Sequence, residues 1–294
     1  MHGTLAAIDK EQHLIEVLTA MPQAMVAFSA GVDSSYLLDV ARQVLGERVT
    51  AVTADSPSLA RSSLSEASEF CRERGIRHVV VNTDEFSHEE YLVNDGNRCY
   101  HCKSALMRAM QGLARATVSA RGEVALLIGA IADDLGDHRP GMVAAREAGA
   151  QWPLADLGFT KVDVRERSRD RDLATWNRPA EPCLSSRVPY GERVTVAGLR
   201  MIEQAEVVLK RLGFPVCRAR HHHIGGEPLG AAQKYLCRIE VPEADLSRLL
   251  PLRDSIIAAL HDIGYLTVTI DLAGFKSGGF NAMLSKAPST SRTA

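Results

Sequence analysis

Long hydrophobic runs, a surplus of charge of either sign and a dense set of cysteines are all missing from this sequence of 294 residues. No stretch of about 18 uncharged apolar residues occurs, and the first residues lack a basic segment followed by an apolar one. We therefore expect no membrane segment and no secretory signal, and we predict a cytoplasmic protein. Hydrophobic residues still make up 46% of the chain, enough for a sizeable core.

The charges nearly balance, with 34 lysines and arginines against 36 aspartates and glutamates. Such a chain has no overall positive field to attract nucleic acid or an anionic membrane surface. A nucleic-acid partner is therefore not expected, and any polyanion must be bound by local groups.

Six cysteines are too few for a disulfide framework in a chain of this length, and cytosolic thiols are normally reduced. Three are scattered and are interpreted as small buried apolar residues: Cys71, Cys217 and Cys237. Cys99 and Cys102 form a C-x-x-C pair, and Cys183 lies in the segment Pro-Cys-Leu-Ser-Ser-Arg. The positions of these last three point to chemistry.

Short apolar runs alternate with helical patterns in the first half of the chain. Four runs are predicted as buried strands: 24–28, 49–54, 78–82 and 124–129. This alternation predicts an α/β fold, a parallel twisted sheet with helices on both faces. Ligands of such sheets bind beyond the carboxyl ends of the strands.

The second half of the chain changes character. Between 139 and 191 the strand signal fades and prolines recur, which is typical of an active-site rim. The order helix, strand, strand, helix, strand then predicts a small C-terminal α+β domain. We predict a nucleotide domain over 1–191, a small substrate or oligomerisation domain over 192–285 and a disordered tail over 286–294.

A loop of small residues, Ala-Phe-Ser-Ala-Gly-Val-Asp-Ser-Ser at 27–35, joins the first predicted strand to a helix and lacks the Gly-Lys-Ser/Thr ending of a Walker loop. Backbone N–H groups around Gly31 can converge on an anion at the helix N-terminus, where the macrodipole adds a favourable field. The hydroxyls of Ser29, Ser34 and Ser35 can donate further hydrogen bonds. Asp33 would repel bare phosphate, so we predict that it caps the helix or binds a bridging Mg²⁺. The alternative is an ordinary serine-capped turn.

Two other predicted strands end in polar residues at the same edge of the sheet. Asp55 and Ser56 follow the second strand and are candidates for nucleotide binding. Asp133, Asp134 and Asp137 follow the fourth and could hold Mg²⁺ or orient a ribose. Aspartates that simply cap turns are the alternative.

The loop resembles the S-G-G-x-D-S pyrophosphate loop of ATP pyrophosphatases, whose PP-loop domain is of the adenine nucleotide alpha hydrolase-like type. The resemblance implies that ATP binds at 29–35 and that an oxygen of the substrate is adenylated. Ala30 stands where the family usually has its first glycine. If that position requires a positive φ, alanine costs about 1 kcal/mol there.

Further motifs follow in order: Asn-Arg-Cys-Tyr-His-Cys-Lys at 97–103, Ala-Asp-Asp-Leu-Gly-Asp-His-Arg-Pro-Gly at 132–141 and Pro-Cys-Leu-Ser-Ser-Arg-Val-Pro-Tyr-Gly at 182–191. With the loop, they resemble the LarE family over about 8–285. LarE proteins are ATP-dependent sulfur transferases that make the dithiolated pyridinium mononucleotide of the nickel-pincer cofactor. The resemblance implies ATP, Mg²⁺, a pyridinium carboxylate mononucleotide substrate and a homo-oligomer, a hexamer in family members.

The family offers two uses of Cys183. In the sacrificial route its thiolate, with Arg187 as the nearby positive charge, attacks the acyl adenylate and loses its sulfur. In the other route Cys99, Cys102 and Cys183 hold a [4Fe-4S] cluster whose open iron site carries the transferred sulfur. We favour the cluster, because a C-x-x-C pair with a third cysteine has no other evident purpose here. Zinc is the competing metal for the same thiolates.

The small domain carries a second candidate site. Arg218 and Arg220 alternate along a predicted strand, so they share a face. They resemble a family arginine pair associated with the substrate phosphate, for which paired guanidinium groups are suited. The alternative, for either arginine singly, is a charged residue on a solvated face. We interpret the following histidines, 221–223, as a loop, because three adjacent side chains cannot all face one site.

Three other functions remain open from the sequence. A transfer-RNA thiolase shares the loop and a three-cysteine cluster, but the charge balance opposes RNA binding. An amide ligase related to NAD or GMP synthetase needs no catalytic thiol. The third is a non-catalytic scaffold that binds nucleotide or zinc.

Overall fold

The computed structural model describes residues 6–117, 122–136, 139–225, 234–276 and 280. Its contacts divide the chain into two compact units. The first runs to His88 and resumes from Cys99 to Glu181, and the second comprises Glu89–Arg98 and the residues from Pro182 onward. The boundary predicted at 191 stays a prediction, while Asp137 and the tail at 286–294 lie outside the described residues.

The first unit is built on a parallel sheet. Its strands are β1 (Gln23–Ala27), β2 (Val49–Asp55), β3 (Arg77–Asn82) and β4 (Val124–Ile128). They lie in the order β3-β2-β1-β4, and every neighbouring pair is parallel. All four predicted strands are confirmed to within about two residues, because each is a short apolar run bounded by polar or turn residues. The prediction that the third is buried is wrong, because β3 lies at the edge of the sheet and none of its residues is buried.

Helices cover both faces of this sheet, as predicted for an α/β fold. The helices of the first unit are α1 (Ala7–Thr19), α2 (Val32–Leu45), α3 (Arg61–Glu73), α5 (Arg98–Thr117, whose first residue groups with the second unit), α6 (Pro140–Glu147), α7 (Pro153–Asp156) and α8 (Lys161–Asp170). Ala24 and Val26 of β1 pack in one apolar core, and Met25 and Ala27 pack in another. Buried residues of α1, α2, α3 and α8 complete the first core, and those of α5, α6 and α7 complete the second. None of the helices in the described residues is long and apolar enough to cross a membrane.

The segment at 139–191, predicted as an active-site rim, also contains three helices. Pro140 and Pro153 occupy the first positions of α6 and α7, where the missing N–H and the fixed φ of proline favour a helix start. Thr160 caps α8 and forms a capping box with Asp163. The prolines therefore mark helix beginnings as well as breaks.

The second unit is a small α+β structure, as predicted. Its elements are α4 (Glu89–Leu92), α9 (Val196–Arg211), β5 (Arg218–Ile224), β6 (Lys234–Glu240), α10 (Leu246–Leu249), α11 (Arg253–Ile263) and β7 (Thr267–Ile270). The sheet has the order β5-β6-β7, with β5 antiparallel and β7 parallel to β6. Apolar residues of α9, α10 and α11 form one core with the sheet.

The prediction that the three histidines form a loop is wrong. His221, His222 and His223 lie in β5 and pair with Cys237, Leu236 and Tyr235 of β6. Strand pairing overrides the polar composition because His221 is buried and forms a hydrogen bond with Tyr265 at 3.1 Å. Alternation along the strand still prevents the three side chains from sharing one face.

Candidate active site

The loop after β1 is held together by its own serines. The hydroxyl oxygens of Ser29 and Ser34 lie 3.1 Å apart, the N–H of Gly31 donates to Ser29 Oγ, and the Ser34 hydroxyl donates to the Gly31 carbonyl at 3.2 Å. Ser35 is fully buried, and its hydroxyl has no hydrogen-bond partner within the described chain. The hydroxyls of Ser29 and Ser34, in contrast, lie together at the N-terminus of α2, where an anion is favoured. The loop thus fits a phosphate cradle.

Ala30 has the left-handed backbone that the glycine of the pyrophosphate loop would adopt without strain. Its φ is +55°, and the residue is almost fully buried. A non-glycine residue in this region costs about 1–2 kcal/mol. Arg178 donates to the Ala30 carbonyl at 3.1 Å and is itself paired with Glu181 at 2.9 Å and with Glu66. These contacts fix the strained peptide.

Asp33 is not a helix cap, contrary to one sequence prediction. The N-cap of α2 is Gly31, and both Asp33 carboxylate oxygens accept hydrogen bonds from Lys161 Nζ, at 2.7 and 2.6 Å. Burial raises the pKa of the Asp33 carboxyl above its ordinary value, and Lys161 opposes that rise. The carboxylate is therefore held by a lysine 128 residues away along the chain.

The other polar strand ends are also bonded within the first unit. Asp55 pairs with Arg61 at 2.7 Å, and the hydroxyls of Ser56 and Ser58 lie 2.8 Å apart. A second set follows β4. Asp134 accepts from the Ile131 N–H and pairs with Arg139, while Asp133 accepts from the backbone N–H of Lys161 at 2.9 Å. Asp33 and Asp133 are thus joined through Lys161.

Cys183 is displayed on a well-supported loop of the second unit. The residue is exposed, whereas Leu184, Ser185 and Arg187 in the following 3-10 turn are buried. Ser185 is held by the Tyr91 hydroxyl at 2.8 Å and by Arg98, which donates to its carbonyl at 2.8 Å. The chain therefore presents an accessible thiol on a rigid support.

Asn94 holds the downstream part of the same loop. It is fully buried, has a φ of +56°, and its side-chain amide donates to the carbonyls of Pro189 at 2.7 Å and Glu192 at 2.9 Å. Arg98 also donates to the Asn94 side-chain oxygen. The short segment Glu89–Arg98 therefore acts as a brace for the loop that contains Cys183.

Arg187 is engaged on all sides. It forms a two-point ion pair with Glu206 of α9, at 2.8 and 2.9 Å, and donates to the Cys183 carbonyl at 3.0 Å. It also donates to the Pro182 carbonyl and to the Ser186 hydroxyl. These contacts describe a residue that shapes the Cys183 loop, and its assignment to the catalytic group stays a prediction.

The two candidate phosphate-binding arginines project from the face of β5 opposite the apolar core, since Ala219 between them packs in that core. Arg220 donates to the Ser186 carbonyl at 2.9 Å and pairs with Glu240 at 2.7 Å, so it adjoins the Cys183 loop. Arg218 donates to the Cys217 carbonyl and lies over the Phe275 ring. Both residues are more than nine-tenths buried.

The cysteines separate into two classes. Cys71, Cys217 and Cys237 are buried, and burial raises the pKa of each thiol, to about 12 for Cys71 and Cys217. Their prediction as apolar residues is confirmed. Cys99 and Cys102 lie one turn apart at the start of α5, where Cys99 is exposed and Cys102 half-buried. All six cysteines are thiols.

The fit of metals differs between the two candidate sets. Within the described residues, no three or more His, Cys, Asp or Glu side chains are grouped to hold a metal ion. The carboxylates of Asp133 and Asp134 already accept hydrogen bonds from backbone N–H groups of the protein, so these two residues do not fit a Mg²⁺ site. Thiols such as those of Cys99, Cys102 and Cys183 are the usual ligands of iron–sulfur clusters, and their grouping as one ligand set stays a prediction.

Sequence reasoning missed several residues that the structure places at these sites. They are Lys161, Arg178, Glu206, Tyr91, Asn94 and Arg98. The capping box at Thr160 could have located the start of α8, and hence Lys161, from the sequence. Arg98 stands in the motif at 97–103 without an assigned role, and Asn94 and Arg178 each have one partner within four residues. Glu206 and Tyr91 lie in patterns without local signal, because their partners, Arg187 and Ser185, are distant along the chain.

The parallel sheet and the serine-rich loop at its carboxyl edge define an α/β protein of the PP-loop type, with a small α+β unit that contains the exposed Cys183. No protein-family model matches the chain. Similarity over nearly the full length of known proteins nevertheless shows that the chain belongs to the LarE family. The Lactiplantibacillus plantarum pyridinium-3,5-bisthiocarboxylic acid mononucleotide synthase is 34% identical over 286 residues, 97% of this chain and 98% of that protein.

Two other relatives are uncharacterised proteins. One from Synechocystis sp. is 38% identical over 279 residues, which is 94% of this chain and 98% of its own length. Another from Methanocaldococcus jannaschii is 26% identical over 253 residues, which is 86% of this chain and 90% of its own length.

Proposed function

We propose that this chain is an ATP-dependent sulfur transferase of nickel-pincer cofactor synthesis, which adenylates a pyridinium carboxylate mononucleotide and converts it to the thiocarboxylate. The observation that carries the proposal is the near full-length similarity to the L. plantarum synthase. The strained serine-rich loop and the exposed thiol of Cys183 support it. We further propose that the protein is cytoplasmic and that it forms a homo-oligomer. Light scattering on the purified chain would test the oligomer.

The proposed first step is activation of the carboxylate. A carboxylate oxygen attacks the α-phosphate of ATP, pyrophosphate leaves, and an acyl adenylate forms. Ser29, Gly31, Ser34 and Ser35 would hold the pyrophosphate portion through N–H and hydroxyl groups at the N-terminus of α2. These small residues suit close approach of a phosphate to the backbone.

In the sacrificial route, the Cys183 thiolate attacks the acyl carbon and expels AMP. Removal of the Cys183 α-proton then breaks the Cβ–S bond, which leaves thiocarboxylate on the product and dehydroalanine at 183. Each chain would act once in this route, with a mass loss of about 34 Da, equivalent to H₂S. The exposure of Cys183 and its rigid support favour its role as nucleophile.

In the cluster route, Cys99, Cys102 and Cys183 would hold iron through their thiolates. The cluster would supply an exchangeable sulfur at an open iron site, so that the cysteine is retained. Cys99 and Cys183 are exposed and Cys102 is half-buried, so none of the three is shut in the core, which supports this ligand set.

Anaerobic purification followed by one turnover with ATP, Mg²⁺ and a carboxylated pyridinium mononucleotide tests the proposal. Pyrophosphate release and a thiocarboxylate product are expected. A mass loss of about 34 Da at Cys183 identifies the sacrificial route, and unchanged mass with about four irons per chain identifies the cluster. Absence of pyrophosphate and of product would refute the function.

Variants separate the two routes. A Cys99→Ala/Cys102→Ala double variant keeps its single turnover in the sacrificial route and loses activity in the cluster route. Cys183→Ala abolishes sulfur transfer in both, while Cys71→Ala, a buried cysteine outside the site, serves as the control. Full activity of Cys183→Ala would contradict the proposal and favour an amide ligase.

A further inference from the structure

Cys99 and Cys102 lie one turn apart near the start of α5. Cys99 is exposed, Cys102 is half-buried, and both are thiols. Helical residues at i and i+3 have Cα atoms about 5 Å apart, because three steps rise about 4.5 Å and turn through about 300°. Disulfides join residues whose Cα atoms are about 4.4–6.8 Å apart. The helix therefore places the pair at the separation that a disulfide requires.

The two side chains also share one side of the helix. Residues at i and i+3 lie on the same face, and every Cα–Cβ bond tilts toward the helix N-terminus, so the Cys102 side chain leans toward Cys99. Tyr100 and His101, which separate the cysteines along the chain, project on other sides of the helix. The two sulfur atoms can therefore meet by rotation of the side chains alone.

Contacts with α6 fix the backbone at this point. The Tyr100 hydroxyl donates to the Glu147 carboxylate at 2.5 Å. A Cβ added to Gly141 would lie 3.1 Å from the Cys99 carbonyl oxygen, so the two helices approach closely there. The pair is thus held in the helical conformation before any reaction, and closure of a disulfide costs little further backbone entropy.

Accessibility distinguishes this pair from the cysteines of the apolar cores. Cys71, Cys217 and Cys237 are buried, so a dissolved oxidant does not reach them in the native state. An exposed thiol with a second thiol beside it is the arrangement in which a mixed disulfide is readily resolved. Cys99 provides the exposed thiol, and Cys102 provides the resolving one.

We propose that Cys99 and Cys102 are a site of reversible oxidation, which a small-molecule disulfide such as glutathione disulfide converts to a disulfide within α5. The Cys99 thiolate attacks one sulfur of glutathione disulfide, whose S–S bond breaks and releases a glutathione thiolate. The Cys102 thiolate then attacks Cys99 Sγ and releases the second one. The two protons that the cysteines lose pass to the two glutathione thiolates. Two protein thiols are oxidised, and one glutathione disulfide is reduced.

The disulfide has a different consequence for each proposed route of sulfur transfer. Sulfur atoms that are joined in a disulfide are no longer thiolates, which are the form that binds iron. Oxidation of the pair therefore blocks the cluster route, whereas the sacrificial route, which uses Cys183, continues. This consequence rests on the proposed function, but the formation of the disulfide does not.

Peptide mapping of the full chain tests the disulfide. The iron-free protein is equilibrated with glutathione disulfide under anaerobic conditions, alkylated with N-ethylmaleimide and digested with trypsin. Trypsin cleaves after Arg98 and Lys103, so both cysteines fall in one short peptide. The expected product is this peptide without alkylation, about 2 Da lighter than its dithiol form, and excess reduced glutathione should reverse the change.

Two variants serve this experiment. Cys102→Ser should stop the exchange after its first step, which leaves one glutathione on Cys99 and a mass gain of about 305 Da. Cys71→Ala, a buried cysteine outside the pair, should form the disulfide to the same extent as the wild-type chain. A wild-type peptide that carries only glutathione adducts, or that stays fully alkylated, would overturn the inference.

Iron uptake and a single turnover separate the inference from the proposed function. In the cluster route the reduced chain should take up about four irons and the oxidised chain none, with uptake restored by dithiothreitol. In the sacrificial route both forms should complete one turnover equally. Equal iron uptake by the two forms would overturn the consequence for the cluster. A chain that forms the disulfide but never transfers sulfur refutes the function alone, and a chain that transfers sulfur but forms no disulfide refutes the inference alone.

Discussion

Arg187 and Glu206 form a two-point ion pair in which both side chains are more than nine-tenths buried, and the Arg187 guanidinium also bonds the Cys183 carbonyl. The pair therefore joins the Cys183 loop to α9. Removing one member of a buried pair leaves an uncompensated charge, which costs about 3–5 kcal/mol. We expect Glu206→Gln to lower the free energy of unfolding by about this amount in urea titrations.

The matched control is an exposed pair of the same unit. Arg253 and Asp254 approach to 3.2 Å but are 72% and 89% exposed. Exposed pairs contribute about 0–1 kcal/mol, so Asp254→Asn should change stability little. Similar losses for the two variants would show that burial does not govern the Arg187 pair.

Ala30 should be improved by glycine. Glycine removes the strain of the positive φ, which raises the free energy of unfolding by about 1–2 kcal/mol. It also makes the unfolded chain more flexible, which lowers the free energy of unfolding by about 0.4–1 kcal/mol. We expect Ala30→Gly to raise the free energy of unfolding by about 0.5–1 kcal/mol in thermal or urea unfolding. Ala109→Gly, a half-buried position in the interior of α5, should lower it by about 1 kcal/mol. If both glycine variants changed the free energy of unfolding in the same direction, the backbone strain at Ala30 would be contradicted.

Gly129, directly after β4, allows the strand end to approach the start of α2. A Cβ at this position would lie 2.9 Å from the Ser34 Cα and backbone N. We expect Gly129→Ala to cost about 1–3 kcal/mol and to weaken ATP binding, because the backbone of the loop must shift.

Gly112 in α5 provides the comparison for Gly129. An added Cβ there meets nothing within 4 Å, so Gly112→Ala should be neutral or stabilising by up to about 1 kcal/mol. A harmless Gly129→Ala would show that the loop adapts freely. Calorimetric unfolding and nucleotide titration of both variants decide the matter.

Cysteine labelling should reproduce the two classes of thiol. In metal-free native protein, N-ethylmaleimide should modify Cys183 and Cys99 rapidly and Cys102 more slowly. The remaining three, Cys71, Cys217 and Cys237, should react only after denaturation, because they are buried and their thiol pKa values are raised. Peptide mapping by mass spectrometry would identify the labelled cysteines. Rapid labelling of any of the last three would contradict their burial in the apolar cores.

Acid should destabilise the second unit through two histidines. Burial lowers the pKa of His221 and of His222 from 6.5 to about 4, with neighbouring histidines and arginines adding to the effect. Between pH 6.5 and 4 the unfolded chain binds more protons than the native one, so stability falls as the pH falls. The slope is at most about 1.4 kcal/mol per pH unit for each histidine.

Replacement of both histidines isolates this effect. His221→Gln/His222→Gln should flatten the dependence of unfolding free energy on pH between 6.5 and 5, where most carboxylates remain ionised. His13→Gln, an exposed position of α1, serves as the control for a histidine replacement outside the second unit. An unaltered slope in the double variant would mean that the two histidines are not buried in the neutral form.

Local spacing accounts for the parts of this structure that the sequence predicted. The parallel strands, the helices around them and the loop at 27–35 follow from apolar runs, turn residues and their order, which act between near neighbours in the chain. Scattered cysteines among apolar residues indicated burial at Cys71, Cys217 and Cys237. The prediction of a loop at the three histidines of β5 was wrong, because pairing with β6 and the burial of His221 stabilise a strand despite the polar side chains.

What the sequence by itself determined is therefore the fold class, the position of the serine-rich loop at 27–35 and the motifs that contain Cys99, Cys102 and Cys183. Only the tertiary structure decided that Ala30 adopts a positive φ. It also decided two ion pairs, that of Lys161 with Asp33 and that of Arg187 with Glu206. Lys161 and Asp33 are 128 residues apart, and no local pattern relates their side chains. Such pairings depend on how whole elements pack, because packing brings distant charges within hydrogen-bond distance.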